Sequence, residues 1–510
     1  MVGHIFTVGG LTLLSRLSGF ARDIVLAAVL GAGPVADAFF VALRLPNHFR
    51  AIFAEGAFNA AFVPAYARIR KQSGADCARI FADRVFTLLL ASQVILLAAA
   101  LLFTPALITL LAPGFTEDAL RFGLAVELTR ITFPYLLLVS LVTLYGGILN
   151  ALSRFAAVAA APILLNAAMI VTLMLAAFFP SPGQAAAWGV LLAGILELLL
   201  VGGDALRNDV LASLRWPKWD EDVKRFFRAL LPATIGSAGV QVALFADTII
   251  ASFLSAGALS ALYYADRLNQ LPIGVVGIAA GTVVLPEMAS RIASGDERGA
   301  HRAQTRAIEF TLLLSIPCVV AFLLVPDLIM RALFVRGAFT ASDASAAGQT
   351  LSAYAVGLLP FVLIRSATAT FFARGDTATP VKASLTAVAV NVLLKIVLMR
   401  PFAQVGLALA TSIGAWLNLG LVTWFAARQG HFTFDPRLRK SIGGLLGAGC
   451  VLTVVLWSAQ AGMARIWPAA APLHDYIALL SLAIVGALAY GAALLAFFGP
   501  ELRKNIKLRF

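Results

Sequence analysis

Of the 510 residues, 60% are hydrophobic and only 13% are charged, about half the charged share of an average soluble protein. That balance excludes a water-soluble globular chain, which would lack the polar surface to cover itself. Lys and Arg outnumber Asp and Glu by 39 to 26, but they sit in short loops between apolar runs, which points to positive-inside membrane topology and away from nucleic acid.

The apolar runs are roughly 18 to 28 residues long, enough to span a bilayer. In chain order they predict fourteen spans, at 5–30, 35–66, 82–105, 122–149, 156–179, 185–205, 227–255, 259–289, 305–326, 347–372, 380–399, 402–427, 440–463 and 474–498. The expected fold is therefore an all-α polytopic membrane protein of about 14 transmembrane helices. The second, seventh and eighth spans are long and rich in Gly, Pro or charge. With the N-terminus inside, 26 loop Lys and Arg fall on the inner side and 5 on the outer side, so both termini are expected in the cytoplasm.

The sequence repeats itself. Phe310-Thr311-Leu312-Leu313-Leu314 copies Phe86-Thr87-Leu88-Leu89-Leu90 at an offset of 224. Arg44-Leu45 pairs with Arg267-Leu268, Pro64 with Pro286, Pro105 with Pro326, Pro134 with Pro360, and Phe115-Thr116 with Phe339-Thr340, at offsets of 221 to 226. A six-span unit returns the chain to its starting side, so the copies share one orientation and a pseudo-two-fold along the membrane normal. The expected division is 1–215 as a first lobe, 216–430 as a second, and 431–510 as a terminal helix pair. Two such halves suit a transporter working by alternating access.

Charged residues inside the spans are the chemical signal. Span one carries Arg16, Arg22 and Asp23; span two carries Asp37, Arg44, Arg50 and Glu55; span eight carries Asp266 and Arg267. One Arg at mid-bilayer costs about 2.5–3.5 kcal/mol on the insertion scale, so these residues must face water, partners or a ligand. Arg16 and Asp23 lie seven apart on one helical face, and Asp37, Arg44 and Glu55 form another stripe. Intramembrane ion pairing with the four acids is the bland alternative. Concentrated arginines are suited to clamping phosphate, so the favoured ligand is an anionic phosphate-bearing one. Lys395 is expected to snorkel from the end of span eleven, and Arg130 and Arg365 either line a cavity or bridge helices. Asp247, a lone mid-depth acid, is a coupling-ion candidate. Cys77, Cys318 and Cys450 have no metal or disulfide spacing, the histidines show no ligand pattern, and no cofactor is expected beyond a coupling cation, sodium or proton.

Ser15-Arg16, Gly19-Phe20-Ala21-Arg22-Asp23, Asp37-Ala38-Phe39-Phe40, Leu45-Pro46-Asn47, Ile52-Phe53-Ala54-Glu55-Gly56-Ala57-Phe58 and Tyr263-Tyr264-Ala265-Asp266-Arg267-Leu268 closely resemble the MurJ (MviN) family of lipid II flippases, in the multidrug/oligosaccharidyl-lipid/polysaccharide exporter superfamily. The resemblance covers essentially the whole chain. It implies a bacterial inner-membrane flippase, not an enzyme, moving undecaprenyl-diphosphate-linked peptidoglycan precursor outward. It carries functional roles onto Arg16, Arg22, Arg50 and Arg267, with Asp37 and Glu55 beside them. Asp247 and Asp376 resemble two ligands of a sodium site in some members, where Phe372 replaces an expected Asn. The expected partners are lipid II or a similar anionic polyprenyl-diphosphate lipid, the membrane, and enzymes of cell-wall synthesis. An exporter of another polyprenyl-diphosphate oligosaccharide is the alternative; a glycosyltransferase would need an acidic extramembrane region that the short basic loops do not supply.

Overall fold

Helix dominates the computed structural model, which describes residues 2–50, 57–433, 435–466 and 473–507. Among these residues the only β pairing is one isolated bridge, Arg336 to Phe339. The chain forms two compact units. The first is 1–260 with 336–340; the second is 261–335 with 341–510.

The first unit contains α1 (Val2–Leu30), α2 (Pro34–Phe49), α3 (Ala57–Ser73), α4 (Ala75–Leu102), α5 (Thr104–Leu111), α6 (Ala119–Thr132), α7 (Pro134–Ala151), α8 (Ala156–Met174), α9 (Pro182–Arg207) and α10 (Glu221–Ser252). Helix starts are written into the sequence. The Asp118 carboxylate accepts from the Leu120 and Arg121 N–H groups, Ser181 Oγ from Gln184 N, and Asp220 from Val223 N; each satisfies donors that an open helix end would strand. The expected fourth span is two helices, because Pro134 opens α7 at its first turn. Of the expected second span, α2 and the start of α3 are described, and 51–56 lie outside the described residues.

Apolar burial does not drive helices together in lipid; close packing does. On α9, Ala185, Ala186, Ala187, Gly189, Val190, Ala193 and Gly194 form a buried face of small residues. A Cβ on Gly189 would lie 2.3 Å from Thr172 Oγ1 of α8, and one on Gly194 would lie 2.8 Å from the Tyr135 ring of α7. An aromatic cluster of Phe58, Phe62, Phe81 and Phe226 joins α3, α4 and α10, with ring centroids 5.1 to 6.2 Å apart.

The second unit contains most of α11 (Ala258–Pro272), a π-helical turn (Ile273–Gly277), α12 (Ile278–Ala293), α13 (Glu297–Leu324), α14 (Pro326–Phe334), α15 (Ala341–Ala355), α16 (Leu358–Phe372), α17 (Ala378–Arg428), α18 (Pro436–Ile466) and α19 (His474–Lys507). Expected spans eleven and twelve run together as α17 and part at Ala403, where φ is 47° just after Pro401. The terminal pair α18 and α19 is tied to its unit: Ser441 Oγ donates to Glu309 of α13, Tyr490 Oη to the Leu313 carbonyl of α13, and Arg331 of α14 to Asp475 of α19. Lys395 corrects an expectation. It is buried, 3% exposed, and does not snorkel.

Nine helices among the described residues are long and apolar enough to cross a membrane. Neither α1, interrupted by Arg16, Arg22 and Asp23, nor α2, 16 residues long, is among them. The membrane-protein class follows from the nine; the chemistry sits largely in the helices outside them.

If the small face of α9 sets its packing distance, Gly189→Leu overpacks the α8 contact. The expected loss is about 1–3 kcal/mol, seen as a lowered unfolding midpoint of detergent-purified protein, while Gly203→Leu, where an added Cβ meets nothing within 4 Å, leaves the midpoint unchanged.

Candidate functional site

The charged turn of α1 is fixed by its neighbour α8. Arg22 donates from Nε and Nη2 to the same Asp23 oxygen, at 3.1 and 2.7 Å, and from Nη1 to Asn166 Oδ1 at 3.2 Å. The Asn166 amide in turn donates to the Ser15 carbonyl at 2.9 Å and to Ser18 Oγ at 3.0 Å. Gly19 lets α8 come this close, since its missing Cβ faces the Asn166 amide at 3.4 Å. Arg22 is mostly covered and Asp23 is buried. Asp23 is thus engaged by Arg22, its chain neighbour, and Arg16, two turns earlier on the same face, is exposed.

On α2 the predicted stripe divides between two partners. Arg44 Nη1 donates to Thr248 Oγ1 of α10 at 2.8 Å. Asp37, fully buried, accepts from Gly257 N at 2.8 Å, from Ser260 N at 2.9 Å and from the Ser260 hydroxyl. Those N–H groups open α11, so Asp37 caps a helix from outside it. Arg50 ends α2 half-buried, its backbone N–H on Pro46 and Asn47 carbonyls. Glu55 lies outside the described residues.

In the second unit, Arg267 and Asp266 are half-buried on α11. The Arg267 guanidinium stacks 4.6 Å above the Tyr263 ring, a cation–π contact. Asp266 accepts from Gln270 at 3.3 Å. The Arg365 stem passes 3.4 Å from the site of a Gly277 Cβ, so the glycine of the π turn makes room for an intramembrane arginine. Asp376 accepts from the Thr379 hydroxyl at 2.6 Å and the Thr379 N–H at 3.0 Å, closing the first turn of α17. These two bonds hold its carboxyl below the usual carboxylate range. Asp247 is half-buried on α10, next to Thr248. Among the described residues no group of three His, Cys, Asp or Glu is arranged to hold a metal ion.

A second feature of the first unit surrounds the Asp37 cap. The two duplicated loops each seat on the last turn of the first helix of the opposite copy, α10 or α1. Gly114 N donates to Ser252 Oγ at 3.0 Å, and a Cβ there would lie 2.4 Å from the Ser252 carbonyl. Nearby, Arg121 Nη1 donates to the Leu254 carbonyl at 2.9 Å, with Phe115 under its guanidinium at 4.7 Å. The 224-residue counterpart behaves the same way: Ala338 N donates to the Ala28 carbonyl at 2.7 Å. A Cβ on Gly337 would lie 2.2 Å from that carbonyl, and one on Gly31 would lie 2.6 Å from the Ala338 carbonyl. Both of these glycines have positive φ, +58° and +66°, so any side chain meets strain as well as collision. Sequence reasoning found the repeated Phe-Thr pairs but not this exchange, and it missed Asn166, Thr248 and Ser260 entirely.

The comparisons agree with one another. A family model described as "Lipid II flippase MurJ" matches residues 26–473. A probable lipid II flippase MurJ of Rhizobium meliloti is 40% identical across 99% of this chain and 96% of its own. One of Rhizobium tropici is 41% identical over 89% of this chain and 86% of its own. The lipid II flippase MurJ of Burkholderia cenocepacia is 33% identical over 94% of each. A solved lipid II flippase MurJ in an inward closed conformation shares the fold, with a TM-score of 0.81 at 23% identity over 97% of this chain and 99% of that one. An inward-facing multidrug transporter of the MOP superfamily follows with a TM-score of 0.66 at 14% identity, covering 83% of this chain and 97% of that one.

The exchanged loops predict that Gly337→Val exposes the Asp37 cap. With Cys77, Cys318 and Cys450 replaced, a cysteine at Ser260 is expected to react slowly with a membrane-impermeant thiol reagent and several-fold faster in the Gly337→Val background. Equal rates would remove the loops from any role in closing this end.

Proposed function

Because the chain belongs to the lipid II flippase MurJ family, we propose that it carries lipid II from the cytoplasmic to the outer leaflet of the bacterial inner membrane. Both termini face the cytoplasm, as the loop charges favour. The duplicated halves, 1–215 and 216–430, act as rocking lobes, and 431–510 adds a helix pair beside the second. The single observation that supports this most directly is the state of Arg22 and Arg44. Each is held by hydrogen bonds of 2.7 to 3.2 Å to side chains of its own unit.

Such arginines are poised for exchange. A guanidinium offers five donors in a fixed fork and stays charged at every physiological pH. A diphosphate brings more acceptor oxygens than Asp23 and Asn166 supply to Arg22, so it can replace them without leaving the cation bare. Arg16, Arg22, Arg50 and Arg267 take the diphosphate; Arg44, Asp23 and Asp266 set the forks around it. Asp37 and Glu55 act beside them, and Asp37 holds α11 through its first turn until the lobes part. The polyprenyl tail remains in lipid, which spares the protein the cost of enclosing it. Net export draws on the membrane potential, on a cation coupled through Asp247 or Asp376, or on removal of product outside. Enzymes of wall synthesis that consume the product are the natural protein partners.

Depletion of the protein in cells should lower the lipid II that an externally added modifying reagent can reach. Re-expression of the parent restores it; Arg22→Ala and Arg267→Ala leave it at least tenfold lower, the size of one lost charge-assisted interaction. Normal external accessibility with both variants would sink the clamp, and unchanged accessibility on depletion would sink the transport assignment itself.

A further inference from the structure

A second cationic site lies in the second unit, where α12 ends and α13 and α18 begin. There a cavity of about 370 Å³ is lined by Arg291, Arg302, Thr305, Arg306, Asp435 and Arg437. Four guanidinium groups face one carboxylate. That carboxylate also caps α18, with Asp435 Oδ1 accepting from Leu438 N at 2.6 Å.

The acids behind the lining hold the forks rather than fill the space. Glu287 accepts from Arg291 Nε at 3.1 Å and from Arg306 Nη2 at 2.9 Å, tying α12 to α13. Asp296 accepts from Arg291 Nη1 at 3.0 Å and caps α13 through Gly299 N at 2.8 Å. Arg437 approaches Glu309 only to 3.7 Å, and Glu309 already accepts from Ser441. Arg302 has no carboxylate within 4 Å among the described residues, and its side chain is exposed. The lining therefore presents donors aimed at a common space and in excess of their acceptors.

An apolar ridge leads away from it. Arg302 and Arg306 are followed at i+4 steps by Phe310 and Leu314, which are 46% and 38% exposed. Such a ridge runs obliquely along a helix, so α13 offers cations at its start and bare hydrocarbon one and two turns later. A soluble anion would need only the first part; a lipid would use both. The volume matches the lower end of small-molecule sites, about 300–1,000 Å³, and exceeds what a bare phosphate fills. Basic pockets between membrane helices on the cytoplasmic side bind anionic headgroups.

We propose that this pocket binds a phosphate oxyanion, supplied by the headgroup of an anionic phospholipid whose acyl chain lies along Phe310 and Leu314. Arg302 and Arg437 grip the phosphate, and Arg291 and Arg306, braced by Glu287, complete the cradle. The site is independent of the proposed transport reaction: none of its residues belongs to the arginine set of α1, α2 and α11.

The test is titration of the full-length protein, in neutral detergent, with phosphatidylglycerol, with phosphatidylcholine, and separately with inorganic phosphate, followed by the unfolding midpoint. Phosphatidylglycerol should raise the midpoint saturably, and Arg302→Ala or Arg437→Ala should shift its half-saturation about tenfold, one charge-assisted contact each. Arg302→Lys, which keeps the charge and loses the fork, should fall between. Both variants change exposed side chains, so their midpoints without lipid should match the parent. Saturable protection by inorganic phosphate, lost in the same variants with no advantage for phosphatidylglycerol, would keep the oxyanion chemistry and overturn the lipid source. Equal effects of the two lipids, or unaltered titrations in both alanine variants, would overturn the site.

Discussion

A guanidinium in an apolar span cannot shed its charge, so it must always have somewhere to put it. Much of the architecture answers that constraint. Arg22 uses Asp23 and Asn166, Arg44 uses Thr248, and Arg267 uses the face of Tyr263. Arg365 runs past a glycine in a π-helical turn. The answers differ, and that difference is informative. Arg22 adds an amide to its carboxylate, Arg44 bonds a hydroxyl, and Arg267 faces an aromatic ring. Amide, hydroxyl and ring partners carry no charge of their own, so a ligand's oxygens can replace them without stranding a second ion.

The same economy shapes the end of the first unit where the copies interlock. Gly31, Gly114, Gly257 and Gly337 bring backbone against backbone, and Asp37 supplies the acceptors that the start of α11 lacks. Contacts made by main-chain groups and small residues can part and re-form without leaving large apolar surfaces to be repacked. This is the kind of bistable element on which an alternating transporter depends.

The sequence made the class, the repeat and the arginines legible, because each leaves a one-dimensional trace: apolar length, a 224-residue echo, and charge where charge is costly. Partners were less legible. Asn166 is one polar residue within Ile163-Leu164-Leu165-Asn166, and nothing local says which helix it faces. Thr248 and Ser260 are hidden for the same reason, being small hydroxyls common in any membrane helix. Asp37 read as a member of an intramembrane stripe, whereas its partners are backbone donors more than 200 residues away. Lys395 read as a snorkelling side chain from its nearness to a span end, but the fold buries it. Asp376 was the readable case passed over, since Asp376-Thr377-Ala378-Thr379 has the spacing of a helix cap.

The account stands on the claim that arginines held by exchangeable partners move a diphosphate lipid across the bilayer. The most direct measurement uses the purified chain in vesicles carrying labelled lipid II in the inner leaflet, following its arrival at the outer surface against protein-free vesicles. The account predicts protein-dependent arrival in the parent, and arrival at the protein-free rate when Arg22 is replaced by Gln in a chain with an unchanged unfolding midpoint. Arrival at the parent rate in that variant would contradict it.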